Sequence, residues 1–189
     1  MRLFIAGNLP AAVRDAVHAG AATLREAAPG IKWVAAPALH ITLKFLGECD
    51  EGRIGDFRDA LEGVAERHSP IDVRLTEIGA FPNFRRPRVV WVGMTGEEAV
   101  RALVRDIDQA FAPLGFAPET RAFQAHLTVG RVRSELTPAE AATLAAQARA
   151  FRPLGAFAVQ TVDLMRSELG AAGSRYSMMA AVPLHARGT

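Results

Sequence analysis

His40-Ile41-Thr42-Leu43 opens the stretch HITLKFLGE (residues 40–48), and His126-Leu127-Thr128-Val129 opens HLTVGRVR (residues 126–133). Each begins with histidine, an aliphatic residue, threonine and a second aliphatic residue. Residues i and i+2 of a strand point to one face. His40 and Thr42 therefore share a face while Ile41 and Leu43 take the other, and His126 and Thr128 stand likewise against Leu127 and Val129. The aliphatic members can seat each strand on a core, leaving an imidazole beside a hydroxyl on the opposite face, twice in one chain.

Sliding the chain against itself by the 86 positions between His40 and His126 brings more into register. Leu3 falls on Val89, Phe4 on Val90, Ile5 on Trp91 and Gly7 on Gly93. Val13 falls on Ala99, and Val17 on Leu103. Strand, helix and motif strand recur in the same order, which predicts a single domain made of two repeat-related lobes spanning residues 1–189. A pseudo-twofold axis between them would set the two histidines across a shared groove.

Around the motifs, apolar spacing predicts strands at residues 2–9, 31–34, 39–47, 71–81, 89–94 and 122–133, and over FAVQTVDLMRSEL (157–169) and SRYSMMAAVPL (174–184). The last two flank a turn at GAAGS (170–174). Helical spacing covers residues 11–27, 53–68 and 97–115. A further helix starts at Thr137 as N-cap, with Pro138 at its first position. PNFRRPR (82–88) reads as a basic loop bounded by proline.

Half of the 189 residues are hydrophobic, enough for a substantial core. Cys49 is the one cysteine, so no intramolecular disulfide is expected, and no CxxC or Cys/His ligand spacing surrounds it. A reducing, cytoplasmic setting fits. No stretch approaches the roughly 20 apolar residues of a spanning helix, and the apolar run near the N-terminus is too short for a signal-peptide core. The formal net charge of +2 does not compel a nucleic-acid partner. Nearly all the positive charge is arginine, whose planar fork matches phosphate, since only Lys32 and Lys44 are lysines.

Two imidazoles and two hydroxyls suit the opening of a phosphodiester by water. A neutral histidine takes a proton from the attacking oxygen, a protonated one supplies the departing oxygen, and imidazole titrates in the range that permits both. The threonine hydroxyls can donate to non-bridging phosphate oxygens as charge develops there. Zinc sites need three or four protein ligands, and no further Cys, His or carboxylate is marked by spacing, so no metal or other cofactor is expected. His18, His68 and His185 lack such partners and read as structural.

The pair of His-x-Thr-x motifs resembles the signature of the two-histidine (2H) phosphoesterases, and within them the chain is similar to the RNA 2′,3′-cyclic phosphodiesterases, also called 2′-5′ RNA ligases. The resemblance extends through RLFIAGNLP, LHITLKFLGE, GAFPNFRRPRVVWVG, AHLTVGRVR and LMRSELGAAGSRYSMMAAVPL. It implies an α+β, bilobal fold with two antiparallel-rich sheets around a central cleft and helices outside. It implies metal-independent hydrolysis of an RNA-terminal 2′,3′-cyclic phosphate to a 2′-phosphomonoester, with 2′-5′ ligation as the reverse. His40 would be the general acid, His126 the general base, and Thr42, Thr128 and Arg131 the phosphate-binding groups.

Phe45 would stack a base, and Arg85 and Arg86 would follow an RNA backbone. The expected partner is an RNA end bearing the cyclic phosphate, met by a monomer away from any membrane. A phosphodiesterase of small cyclic or 2′-5′-linked nucleotides and a noncatalytic RNA-binding module are the alternatives. Two positions depart from the family pattern, Ala125 standing where proline is common and Val129 where leucine is. Strict alternation also turns Phe45 and Arg131 away from their histidines. Either the strand bulges or twists near Gly130, or Arg131 supports structure instead.

Overall fold

Period-two and helical spacings divide the chain into fourteen main elements, seen in a computed structural model that describes residues 1–152, 155–170 and 173–185. In order they are β1 (Arg2–Asn8), α1 (Ala11–Gly20), α2 (Ala22–Ala27), β2 (Ile31–Trp33), β3 (His40–Glu48), α3 (Ile54–Ala65) and β4 (Ile71–Phe81). There follow β5 (Val89–Met94), α4 (Glu97–Phe111), β6 (His126–Val132), α5 (Pro138–Ala150), β7 (Ala156–Val159), β8 (Thr161–Gly170) and β9 (Gly173–Pro183).

Every strand pairing is antiparallel, in the spatial order β7-β4-β5-β6-β3-β1-β8-β9 with β2 added on β6. The path consists of two halves, β7-β4-β5-β6 and β3-β1-β8-β9, joined through one pair, Ile41 with Leu127. From Gly130 onward the same edge of β6 is occupied by β2, through Trp33–Gly130, Lys32–Arg131 and Ile31–Val132. Because β3 and β6 hold each other at one point and then part, a groove opens between the halves.

Helices cover the other face. Phe57 of α3 and Phe111 of α4 meet with ring centroids 5.7 Å apart, beside β8 and β9. On the other half α2 packs on α5, and α5 on β4. One apolar core runs beneath both halves, with Ile41 and Leu127 buried in it side by side. Burying a side chain of this size contributes about 1.5–3 kcal/mol.

Local signals place the helix ends. Thr137 caps α5 in a capping box with Glu140, and Pro138 follows at the first turn. Gly96 enters α4 at φ 75°, where a Cβ would lie 2.6 Å from the carbonyl oxygen of Asp72, so only glycine fits. Three segments depart from expectation, the first being the helix expected over 11–27, which is two helices, α1 and α2, parted at Ala21. The strand expected over 157–169 is two strands broken at Gln160, because β7 pairs with β4 while β8 pairs with β1. The strand expected from residue 122 starts at His126. Of the expected turn 170–174, Ala171 and Ala172 lie outside the described residues.

Candidate active site

The site grows from the Ile41–Leu127 pair. Counting one residue outward each way in this antiparallel ladder sets His40 across from Thr128, and Thr42 across from His126. All four are half-buried on one face, while Ile41, Leu43, Leu127 and Val129 are buried on the other. The histidines occupy one diagonal of this quartet and the threonines the other. Diagonal neighbours in such a ladder lie about 7–8 Å apart, a span that leaves room for a phosphoryl group between two rings.

Each imidazole is oriented in the same way. Nδ1 of His40 lies 2.8 Å from the carbonyl oxygen of Ala38, and Nδ1 of His126 lies 2.8 Å from that of Gln124. A carbonyl only accepts, so Nδ1–H is the donor in both, and Nε2 remains to exchange a proton. His40 is wedged between Phe4, at 4.8 Å between centroids, and Tyr176, at 5.0 Å. His126 meets the ring of Phe81 edge-on at 5.2 Å, with Trp91 behind it.

Burial lowers the pKa of both histidines from the ordinary imidazole value, and the Arg131 guanidinium lowers both further against the opposing effect of the carbonyl bonds. Arg131 stands toward the quartet, lining the same cavity as His40, Thr42 and Thr128. How it gets there is visible in the pairing. In β3, Ile5 pairs with Lys44 and the adjacent Ala6 with Thr42, so Leu43 is skipped. In β6, Val90 pairs with Gly130 and the adjacent Trp91 with Thr128, so Val129 is skipped.

Each motif strand thus carries a bulge directly after its His-x-Thr, which shifts the alternation by one residue. Phe45 and Arg131 swing to the histidine face, and both are exposed there. The bulge near Gly130 is the first of the two possibilities the sequence left open. On the core side of the bulges, Lys44 reaches Asp108 of α4 and the Ala117 carbonyl. Gly130 lies under Ile31 and Trp33, where a Cβ would come within 2.8 Å of Ile31 Cγ2.

A cavity of about 290 Å³ lies over this face, lined by His40, Thr42, Thr128, Arg131, Phe45 and Tyr176, among others. His126 is not among its lining residues and stands at the corner of the quartet diagonal to His40. Arg85 and Arg86 are not brought to the cavity. They flank a separate groove with Phe84 and Leu136, where Arg86 lies 3.7 Å from Glu135. His68, read as structural, contacts Asp106 at 2.9 Å.

Of the rings that bracket the two imidazoles, sequence reasoning passed over Phe4, Phe81 and Trp91, while Tyr176, which follows GSR in the sequence, was a candidate for the cleft and does line it. Phe4 was visible as one member of an apolar strand. Its position beside Phe45 follows only from the β1–β3 pairing.

The family model of the 2′-5′ RNA ligase superfamily matches residues 13–171. An RNA 2′,3′-cyclic phosphodiesterase of Methanothermobacter thermautotrophicus is 35% identical over 179 residues, covering 95% of this chain and 96% of the relative. Among solved structures, a protein of Thermus thermophilus superposes with a TM-score of 0.80 at 28% identity over 100% of both chains. E. coli LigT complexed with 3′-AMP superposes with a TM-score of 0.71 at 28% identity over 97% of each. With its paired His-x-Thr strands and this fold, the chain belongs to the 2′-5′ RNA ligase superfamily.

Proposed function

We propose that the chain hydrolyses the 2′,3′-cyclic phosphate at an RNA end to a 2′-phosphomonoester, with His40 and His126 as the proton-transfer pair. Relatives that match most of the chain carry the name RNA 2′,3′-cyclic phosphodiesterase. His126 Nε2 takes a proton from water as its oxygen bonds to phosphorus. The P–O3′ bond breaks, and His40 Nε2–H protonates the departing 3′ oxygen. The assignment of acid to His40 and base to His126 follows the family resemblance. Thr42, Thr128 and Arg131 donate to the non-bridging oxygens, and Phe45 offers the terminal base an aromatic face. With the 5′-hydroxyl of a second RNA end in place of water, the same transfers form a 2′-5′ linkage as the P–O3′ bond breaks.

The observation that carries this reading is the matched pair of Nδ1–carbonyl hydrogen bonds at 2.8 Å, which frees Nε2 of both rings on one sheet face. A binding module needs phosphate donors but has no use for two imidazoles held in one tautomer. We further propose that the two lobes are repeats of one unit. Ile41 pairs with Leu127 and Asp72 with Ala158, each 86 positions on, as a local twofold requires. A monomer in a reducing cytoplasm is consistent with the lone Cys49, and no described helix is long and apolar enough to cross a membrane.

The test is incubation of an oligonucleotide ending in a 2′,3′-cyclic phosphate, in chelator, with identification of the product. A 2′-phosphate is expected. A 3′-phosphate would overturn the regiochemistry, and an unchanged substrate would favour the binding module.

A further inference from the structure

Beside the cavity, β2 runs along β6 at Arg131 and carries, at Lys32, a charge that the reaction above does not use and that is not itself among the lining residues. Lys32 is the cross-strand partner of Arg131, so their side chains leave the sheet on the same face with Cβ atoms about 4.5–5.5 Å apart. Three observations fix that face as the one toward the cleft. Arg131 lines the cavity, and so does Val34, two residues along from Lys32. Ile31, on the opposite side of β2, is buried in the core. Trp33 sends its indole N–H to the Ala28 carbonyl, away from the cleft.

Neither Lys32 nor Arg131 has an ion pair among the described residues. Like charges directly opposite each other on a sheet destabilise it, and a shared or bridging anion reverses the sign of that interaction. The opposite flank of the same cavity offers the rings of Phe4, Phe45 and Tyr176 instead. One side therefore suits a nucleobase and the other a further anion.

We propose that Lys32 seats the phosphodiester on the 5′ side of the terminal ribose, next to the cyclic phosphate held by Arg131, so that the site takes oligonucleotide ends in preference to mononucleosides. This rests on the reading of the quartet as a cyclic phosphodiesterase. The subsite requires that, with the terminal base on the aromatic flank and its phosphorus over the quartet, the 5′ oxygen of the ribose lead out over β2. Lys32, with a flexible four-carbon stem and three rotatable donors, can meet a phosphate there as a point charge without fixed geometry.

The experiment compares two substrates, a nucleoside 2′,3′-cyclic phosphate with a free 5′-hydroxyl and the same nucleoside with a phosphodiester at its 5′ position, in the wild type, Lys32→Ala and Lys32→Arg. The wild type should favour the second substrate in kcat/KM, and Lys32→Ala should shrink that preference about tenfold, through KM. Lys32→Arg should restore most of it. The dependence of KM on salt should lose about one charge in Lys32→Ala.

Equal effects on both substrates, or none, would overturn the subsite. Affinity for a dinucleotide ending in a 2′-phosphate, read by fluorescence anisotropy, makes the same comparison without turnover. Hydrolysis of neither substrate would sink the catalytic reading and leave the subsite to be judged by binding. Hydrolysis of both without a 5′ preference would sink the subsite alone.

Discussion

Replacing Arg131 by alanine separates the two things its guanidinium is placed to do. Toward substrate it is a charged donor to a phosphate oxygen, an interaction worth about 1.5–3 kcal/mol. Arg131 is exposed, so the lower end applies, and at about 1.4 kcal/mol per factor of ten kcat/KM should fall roughly tenfold. Toward the histidines it is a positive charge that lowers the pKa of both His40 and His126. Removing it raises both.

In free enzyme the acid limb of kcat/KM reports the base losing its neutral form, and the alkaline limb reports the acid losing its proton. With both pKa values held below 6.5 by burial and by Arg131, the wild-type optimum should lie on the acid side of that value. The whole bell should move to higher pH in Arg131→Ala. Its limbs belong to the coupled pair and not to either ring. Arg131→Lys should return the bell to its wild-type position while leaving part of the rate deficit, because charge is restored but the planar fork is not. The assay is kcat/KM for a cyclic-phosphate substrate from about pH 5 to 9, with melting curves to check the fold. A variant within twofold of wild type whose profile does not move would show that Arg131 faces neither phosphate nor imidazole.

Substituting either His40 or His126 by alanine should lower turnover by on the order of a hundredfold or more, and the double variant should be little worse than the singles because the pair acts as a unit. Strictly multiplicative losses in single-turnover rates would contradict that. Gly79→Ala should destabilise by roughly 1–3 kcal/mol, since its Cβ would sit 2.1 Å from Trp91 Cζ2. A melting temperature equal to wild type would mean that Trp91 moves freely. Stability should fall on acidification through pH 6.5, where the unfolded chain binds protons that the two half-buried imidazoles resist. Comparing denaturant midpoints at pH 7.5 and 5.5 for wild type and His40→Ala tests this, and an undiminished acid loss in the variant would count against it.

Much of the candidate site could be read before any coordinates, because period-two alternation is a local rule. His40, Thr42, His126 and Thr128 had to share faces wherever their strands went, and the strands that brought them there were marked by apolar spacing. Lys44 shows the limit of the same rule. Alternation puts it on the face of Thr42, yet it is buried against Asp108 and holds the core side of a bulge.

By itself the sequence determined the paired motifs, their faces and the order of elements, since each depends on neighbours within a few residues. Tertiary structure alone decided which strands lie side by side, and so where the ladder slips a residue at Leu43 and Val129. Those slips turn Phe45 and Arg131 toward the histidines. The pairing of β2 with β6 likewise sets Lys32 beside Arg131 across 99 residues of chain. A bulge or a cross-strand neighbour is a property of two strands meeting, and neither strand's own residues specify its partner.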